Sequence, residues 1–159
     1  MSEDEIRRAL LRHALATLAY RAAKVLRSAP ASFAEFKVGP TTRSPGEILA
    51  HLCDLMDWGT ATAEGREVWR DTTTDSWDSG VDRFFTAVAR FDAALDAPIH
   101  CPCEKLLQGP IADALTHVGQ LAMLRRLAEA PVRGENYLKA EITTGRVGKD
   151  QPPPVREFD

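Results

Sequence analysis

Ser44-Pro45-Gly46-Glu47-Ile48-Leu49-Ala50-His51-Leu52-Cys53-Asp54-Leu55 opens a helix and places a histidine on it. Ser44 is a good N-cap, Pro45 suits the first helical position, and Glu47 completes a capping box. Ile48, Leu52, Leu55 and Gly59 then recur at helical spacing as an inner stripe. The pattern carries the helix from about Pro45 to Val68. His51 lies on the flank of that stripe, where a helix aims a polar group into a bundle.

Three further segments read the same way. The first runs from about Glu3 to Arg27, with Leu11, Leu15, Leu18, Ala22, Val25 and Leu26 on one face and Arg8, Arg12, Arg21 and Lys24 largely elsewhere. Pro30 to Pro40 connects it to the histidine-bearing helix. After a threonine-rich loop, Arg70 to Ser76, the third runs from about Trp77 to Asp96. Its stripe is Val81, Phe84, Phe85, Val88, Phe91 and Leu95, and Pro98 ends it. A connection through Gly109 leads to the fourth, from about Pro110 to Ala130, striped by Ile111, Ala114, Leu115, Val118, Leu121 and Ala122. Leu124 and Leu127 add apolar surface outside that stripe, which predicts burial on more than one side.

From Pro131 onward, Gly134, Gly145, Gly148 and Pro152-Pro153-Pro154 argue against a long helix. The expected architecture is all-α: a four-helix bundle over residues 1–130, with an irregular extension over 131–159. That extension is expected to pack on the bundle or on a partner subunit, with its last residues loose.

The chain has 159 residues, 44% of them apolar, enough for one domain with a sizeable core. Its formal charge is -3 and no Lys/Arg cluster stands out, which speaks against nucleic acid. No apolar run approaches the roughly 18 residues of a membrane span. The start, Met1-Ser2-Glu3-Asp4-Glu5, is acidic and lacks the apolar core of a signal peptide. Three cysteines without disulfide-framework spacing imply reduced thiols and a cytoplasmic location.

Two of the four histidines are placed for chemistry. Imidazole is the commonest protein metal ligand, yet a core-edge histidine taken alone is more often satisfied by a single hydrogen bond. His117 flanks the stripe of the fourth helix. Asp113 precedes it by one turn and Gln120 follows it by nearly one, so all three share a face. Asp113 and His117 can offer a carboxylate and an imidazole to one cation. Asp113 also has a simpler reading, a first-turn carboxylate that stabilises the dipole of a helix starting at Pro110. Gln120 suits either a ligand-orienting amide or a plain interface amide. Asp54, one turn beyond His51, reads as a solvated residue or as a carboxylate supporting the imidazole. His13 lies among the charged residues of its helix and reads as solvent-facing. His100-Cys101-Pro102-Cys103 holds zinc-type ligands but only one pair of them, short of a structural zinc site. Cys53 reads as a small buried residue.

A capped second helix with a histidine, followed by a fourth helix reading His117-Val118-Gly119-Gln120-Leu121-Ala122-Met123-Leu124-Arg125-Arg126-Leu127-Ala128, resembles the DinB/YfiT-like superfamily. The match is best from Gly109 to Pro131 and around His51, and with the helix count covers residues 1–130. The resemblance implies an up-down-down-up four-helix bundle, often dimeric. It also implies a divalent metal, typically zinc or nickel, held by three histidines: one on the second helix, here His51, and two in a His-x-x-x-His on the fourth. The latter pair maps onto Asp113 and His117, so aspartate stands where the family has its first histidine. This departure gives either a two-histidine, one-carboxylate set, a pattern that also suits iron or manganese, or a branch without tight metal binding.

Some members of the family act with low-molecular-weight thiols as transferases or as an isomerase, and others resemble hydrolases. On that model a metal activates a thiol or a water for a small-molecule substrate, with Gln120 orienting a ligand. Two other readings compete with it. One is a metal-free small-molecule-binding or regulatory bundle, and the other is a homodimeric interaction module built on the fourth helix and the extension.

Overall fold

In the computed structural model, residues 1–158 are described, and among them the regular structure is helical apart from one isolated bridge, Glu135 with Glu157. The long helices are α1 (Glu3–Leu26), α2 (Pro45–Ala63), α3 (Trp77–Asp96) and a composite fourth. That fourth helix is α4 (Cys103–Leu106), a π turn (Leu107–Ile111) and α5 (Ala112–Leu127) in unbroken succession. Around the bundle, α1 packs on α3, α3 on α2, α2 on α5, and α5 back on α1. No helix among the described residues is long and apolar enough to cross a membrane.

The local chemistry explains where the helices begin. Ser2 with Glu5, Ser44 with Glu47 and Ser76 with Ser79 each form a reciprocal capping box. The core is the expected set of stripes: Leu15, Leu18, Leu52, Phe84, Val88, Phe91 and Leu121 are wholly shielded from water. Gly59 of α2 lies directly under the Phe91 ring of α3, and a Cβ there would overlap the ring. The absent side chain is what lets these two helices pack closely.

Two boundaries differ from the sequence reading. Helix α2 ends at Ala63, not near Val68, because Gly65 takes a left-handed conformation (φ +78°). Arg66 then donates its N–H to the Ala61 carbonyl (2.8 Å), closing the helix with a Schellman-type turn. The fourth helix starts at Cys103, not at Pro110. Pro110 has no N–H to give an α-helical bond, and a π turn absorbs the defect: the Ala112 N–H reaches back to the Leu107 carbonyl. Leu124 joins the core as expected, whereas Leu127 is half exposed.

Residues 131–158 pack on the outside of the bundle. Glu135 is buried and accepts hydrogen bonds from Tyr20 (2.5 Å) and Lys24 (2.7 Å) of α1. Arg21 lies over the Tyr137 ring at 3.8 Å, and Val147 enters the core. The last described residues are pinned rather than loose: Phe158 donates to the Gly134 carbonyl (2.7 Å), and Glu157 pairs with Lys24 (2.9 Å).

Candidate metal centre

His51 projects from α2 and faces α5. Across the gap stand Asp113 and His117, one turn apart on α5. The carboxylate lies between the two imidazoles, with Asp113 Oδ2 3.4 Å from His51 Nε2 and Asp113 Oδ1 3.4 Å from His117 Nε2. The imidazole rings meet edge to face, with centroids 4.7 Å apart. One ligand atom from each residue lies within 4.8 Å of the other two, so the group could hold a metal ion. Tetrahedral bonds of about 2.0–2.1 Å place neighbouring ligand atoms about 3.3–3.4 Å apart. Each imidazole nitrogen lies at about that separation from a different oxygen of Asp113, while the single-atom set spreads over as much as 4.8 Å, so the three side chains bracket a cation-sized space without being drawn in to bonding geometry.

The continuous fourth helix changes the meaning of Asp113. Its first-turn reading required a helix beginning at Pro110, but residues 106, 107, 111 and 112 all have right-handed helical backbone. Asp113 is therefore inside a helix and caps no terminus. Helix-dipole stabilisation does not account for the carboxylate, while its position between two imidazoles gives it a role.

Gln120 contributes through His117. Its Oε1 accepts a hydrogen bond from His117 Nδ1 at 2.7 Å, and Nε2 is the nitrogen that faces Asp113. Metal-ligating histidines are commonly oriented in this way by an acceptor on the second nitrogen. His51 is held below the ordinary histidine range, mainly by burial and then by the neighbouring His117 and Arg43, with Asp113 opposing. Neutral imidazole is the form a metal needs.

A tryptophan that the sequence reading did not single out borders the site. Trp69, in the loop after α2, sets its ring edge to face against His51 (centroids 5.7 Å apart) and against Trp58 (5.7 Å). Asp54 anchors that loop, and it is neither solvated nor bonded to His51. It is buried, accepts from the Thr72 N–H (2.9 Å) and Oγ1 (2.6 Å), and pairs with Arg83 (3.0 Å). The only sequence signal for this arrangement was an isolated large aromatic in a polar loop.

The remaining candidates stay apart from the centre. His13 is exposed and contacts Thr144 (3.1 Å). Among the described residues, His100, Cys101 and Cys103 form no ligand group; His100 instead donates its backbone N–H to the Ala63 carbonyl (2.9 Å). Cys53 is buried, its thiol pushed up to about 12 chiefly by burial, as suits a packing residue.

Compared with known proteins, the chain matches no family model, no curated protein and no solved structure.

Proposed function

We propose that His51, Asp113 and His117 bind a divalent metal in a DinB/YfiT-like, up-down-down-up bundle, and that the protein is a metal-dependent enzyme acting on a small molecule. The observation that carries this reading is the convergence of three metal-ligating side chains from two helices, one ligand atom of each within 4.8 Å of the other two. Zinc or nickel is the first choice of ion, with iron or manganese also suited to a mixed nitrogen and oxygen set.

A cavity of about 660 Å³ adjoins the centre, with His51, His117 and Gln120 in its wall. That size falls within the range of small-molecule sites. A bound divalent ion would supply Lewis acidity, holding a thiol as thiolate or a water as hydroxide at neutral pH. Thiol-S-transfer and hydrolysis are accordingly the two proposed activities, with a low-molecular-weight thiol as co-substrate of the first. The chain's own residues have separable tasks: Gln120 orients His117, Trp69 covers one edge of His51, and the cavity walls position the substrate. From sequence alone, the protein is proposed to act in the cytoplasm as a homodimer.

The metal-free alternative keeps Asp113 as a half-exposed carboxylate paired with His51 and His117, without the helix-start role that a helix beginning at Pro110 would have given it. The test is metal content by ICP-MS on untagged protein, beside His51→Ala and His117→Ala. Stoichiometric metal, lost in both variants while the far-ultraviolet circular dichroism is kept, supports the reading and directs thiol-transfer and hydrolase assays. Wild-type protein that takes up no metal, even after reconstitution with zinc, nickel, iron or manganese, overturns it.

A further inference from the structure

The cavity beside the centre has two kinds of wall. Ile48 and Leu124 form a buried apolar floor, while Val38, Met123 and Leu127 make a rim whose side chains are about half exposed. Water-exposed side chains of this size around a concave surface are what an apolar ligand would cover. Arg43 stands in the same wall, and it also borders a smaller recess on the Asp54 and Thr72 side of His51.

The carboxylates that share this recess with Arg43 are engaged elsewhere. Glu47 accepts from the Ser44 N–H (2.7 Å) and pairs with Lys37 (3.5 Å). Asp54 is held by Thr72 and Arg83, and Asp71 accepts from the Trp69 indole (3.2 Å). Among the described residues, Arg43 forms no ion pair, and it remains exposed beside the histidine pair. A guanidinium presents a planar fork of donors that matches a carboxylate.

We propose that this cavity binds a small amphipathic carboxylate, with its apolar body against Ile48, Leu124, Met123 and Leu127 and its carboxylate on Arg43. The proposal deepens the metal-enzyme reading by naming a substrate class. It rests on that reading for the reaction and not for the binding.

The test uses octanoate and its neutral counterpart octanamide, titrated by calorimetry into metal-loaded and chelator-treated full-length protein. Octanoate should bind about tenfold more tightly than octanamide, an effect of the size a charge-assisted pair supplies. Arg43→Gln should abolish that preference, and Arg43→Lys should retain part of it. The preference should survive chelation, because the anchor is a side chain. Equal binding of the two probes, an octanoate preference unchanged in Arg43→Gln, or a preference that vanishes with the metal each overturns the proposal. Protein that binds no metal yet keeps an Arg43-dependent preference would sink the metal reading and leave the carboxylate site standing.

Discussion

Gln120 Oε1 accepts a hydrogen bond from His117 Nδ1 at 2.7 Å, and this bond fixes which nitrogen of His117 faces Asp113. Both residues lie on one helix, nearly a turn apart, so the orientation is built into a single element. Gln120→Leu removes the acceptor while keeping much of the side-chain volume. It should weaken metal binding by about 10–100-fold, the usual cost of losing such a partner. Gln120→Glu, which keeps an acceptor at the same reach, should bind as tightly as the wild type or more so. Competition against a chromophoric chelator measures both, and an unchanged affinity in Gln120→Leu would show that the bond has no hold on the ligand.

Asp54 ties three parts of the structure together: its own helix α2, the loop at Thr72, and Arg83 of α3. Asp54→Ala leaves the Thr72 N–H without its acceptor, while Arg83 keeps Asp57 (3.0 Å) and the Thr72 hydroxyl. The expected loss is about 1–3 kcal/mol, moderated because Arg83 is partly exposed to water. Urea unfolding should show a lower midpoint at an unchanged slope. The loop carrying Trp69 should also loosen, so native tryptophan emission should shift. A variant with wild-type midpoint and emission would rule out this anchoring role.

At Gly59 the prediction is steric. A methyl group there meets the Phe91 ring, which is wholly buried and has little room to move. Gly59→Ala should destabilise the fold by about 1–3 kcal/mol, although alanine is the better helix former. Phe91→Leu in the same chain should recover part of the loss, and a double-mutant cycle measures the coupling. Additive effects would place the strain elsewhere.

The helices were legible because their apolar stripes and serine caps agree. Helix α3 runs over the residues its pattern marks, and α2 begins where Ser44 and Pro45 place it. What misled was local chemistry with two meanings. Gly109-Pro110 reads as a helix start, yet a π turn carries the backbone through it, and that changed the reading of Asp113. Gly65 carried a usable signal for the end of α2, since a glycine after a polar turn commonly takes the left-handed cap position. That His51 and His117 face one another could be read from the stripes they flank, while Asp113 entered through its spacing of one turn from His117 and through the family resemblance. The Trp69 contact and the Asp54–Arg83 pair depend on how a loop folds back over α2, which periodicity does not encode.

His51 gives the protein a directional response to pH. Its imidazole is held below the ordinary histidine value of about 6.5, first by burial and then by His117 and Arg43. The unfolded chain therefore takes up a proton on this residue at a higher pH than the folded chain does. The stability that comes from a neutral His51 is fully present above about pH 6.5 and is lost as pH falls toward the folded value, below which the dependence levels off. Bound metal should steepen the loss, because protonation then also removes a ligand. His51→Gln keeps a polar side chain without a titrating ring. The test is the urea midpoint of chelator-treated wild type and His51→Gln between about pH 7.5 and pH 5. The wild-type midpoint should fall more steeply across that range, the difference between the two curves being the contribution of His51 together with its coupling to His117 and Asp113. Parallel curves would mean that His51 titrates alike in the folded and unfolded chains, and that burial beside α5 does not hold it neutral.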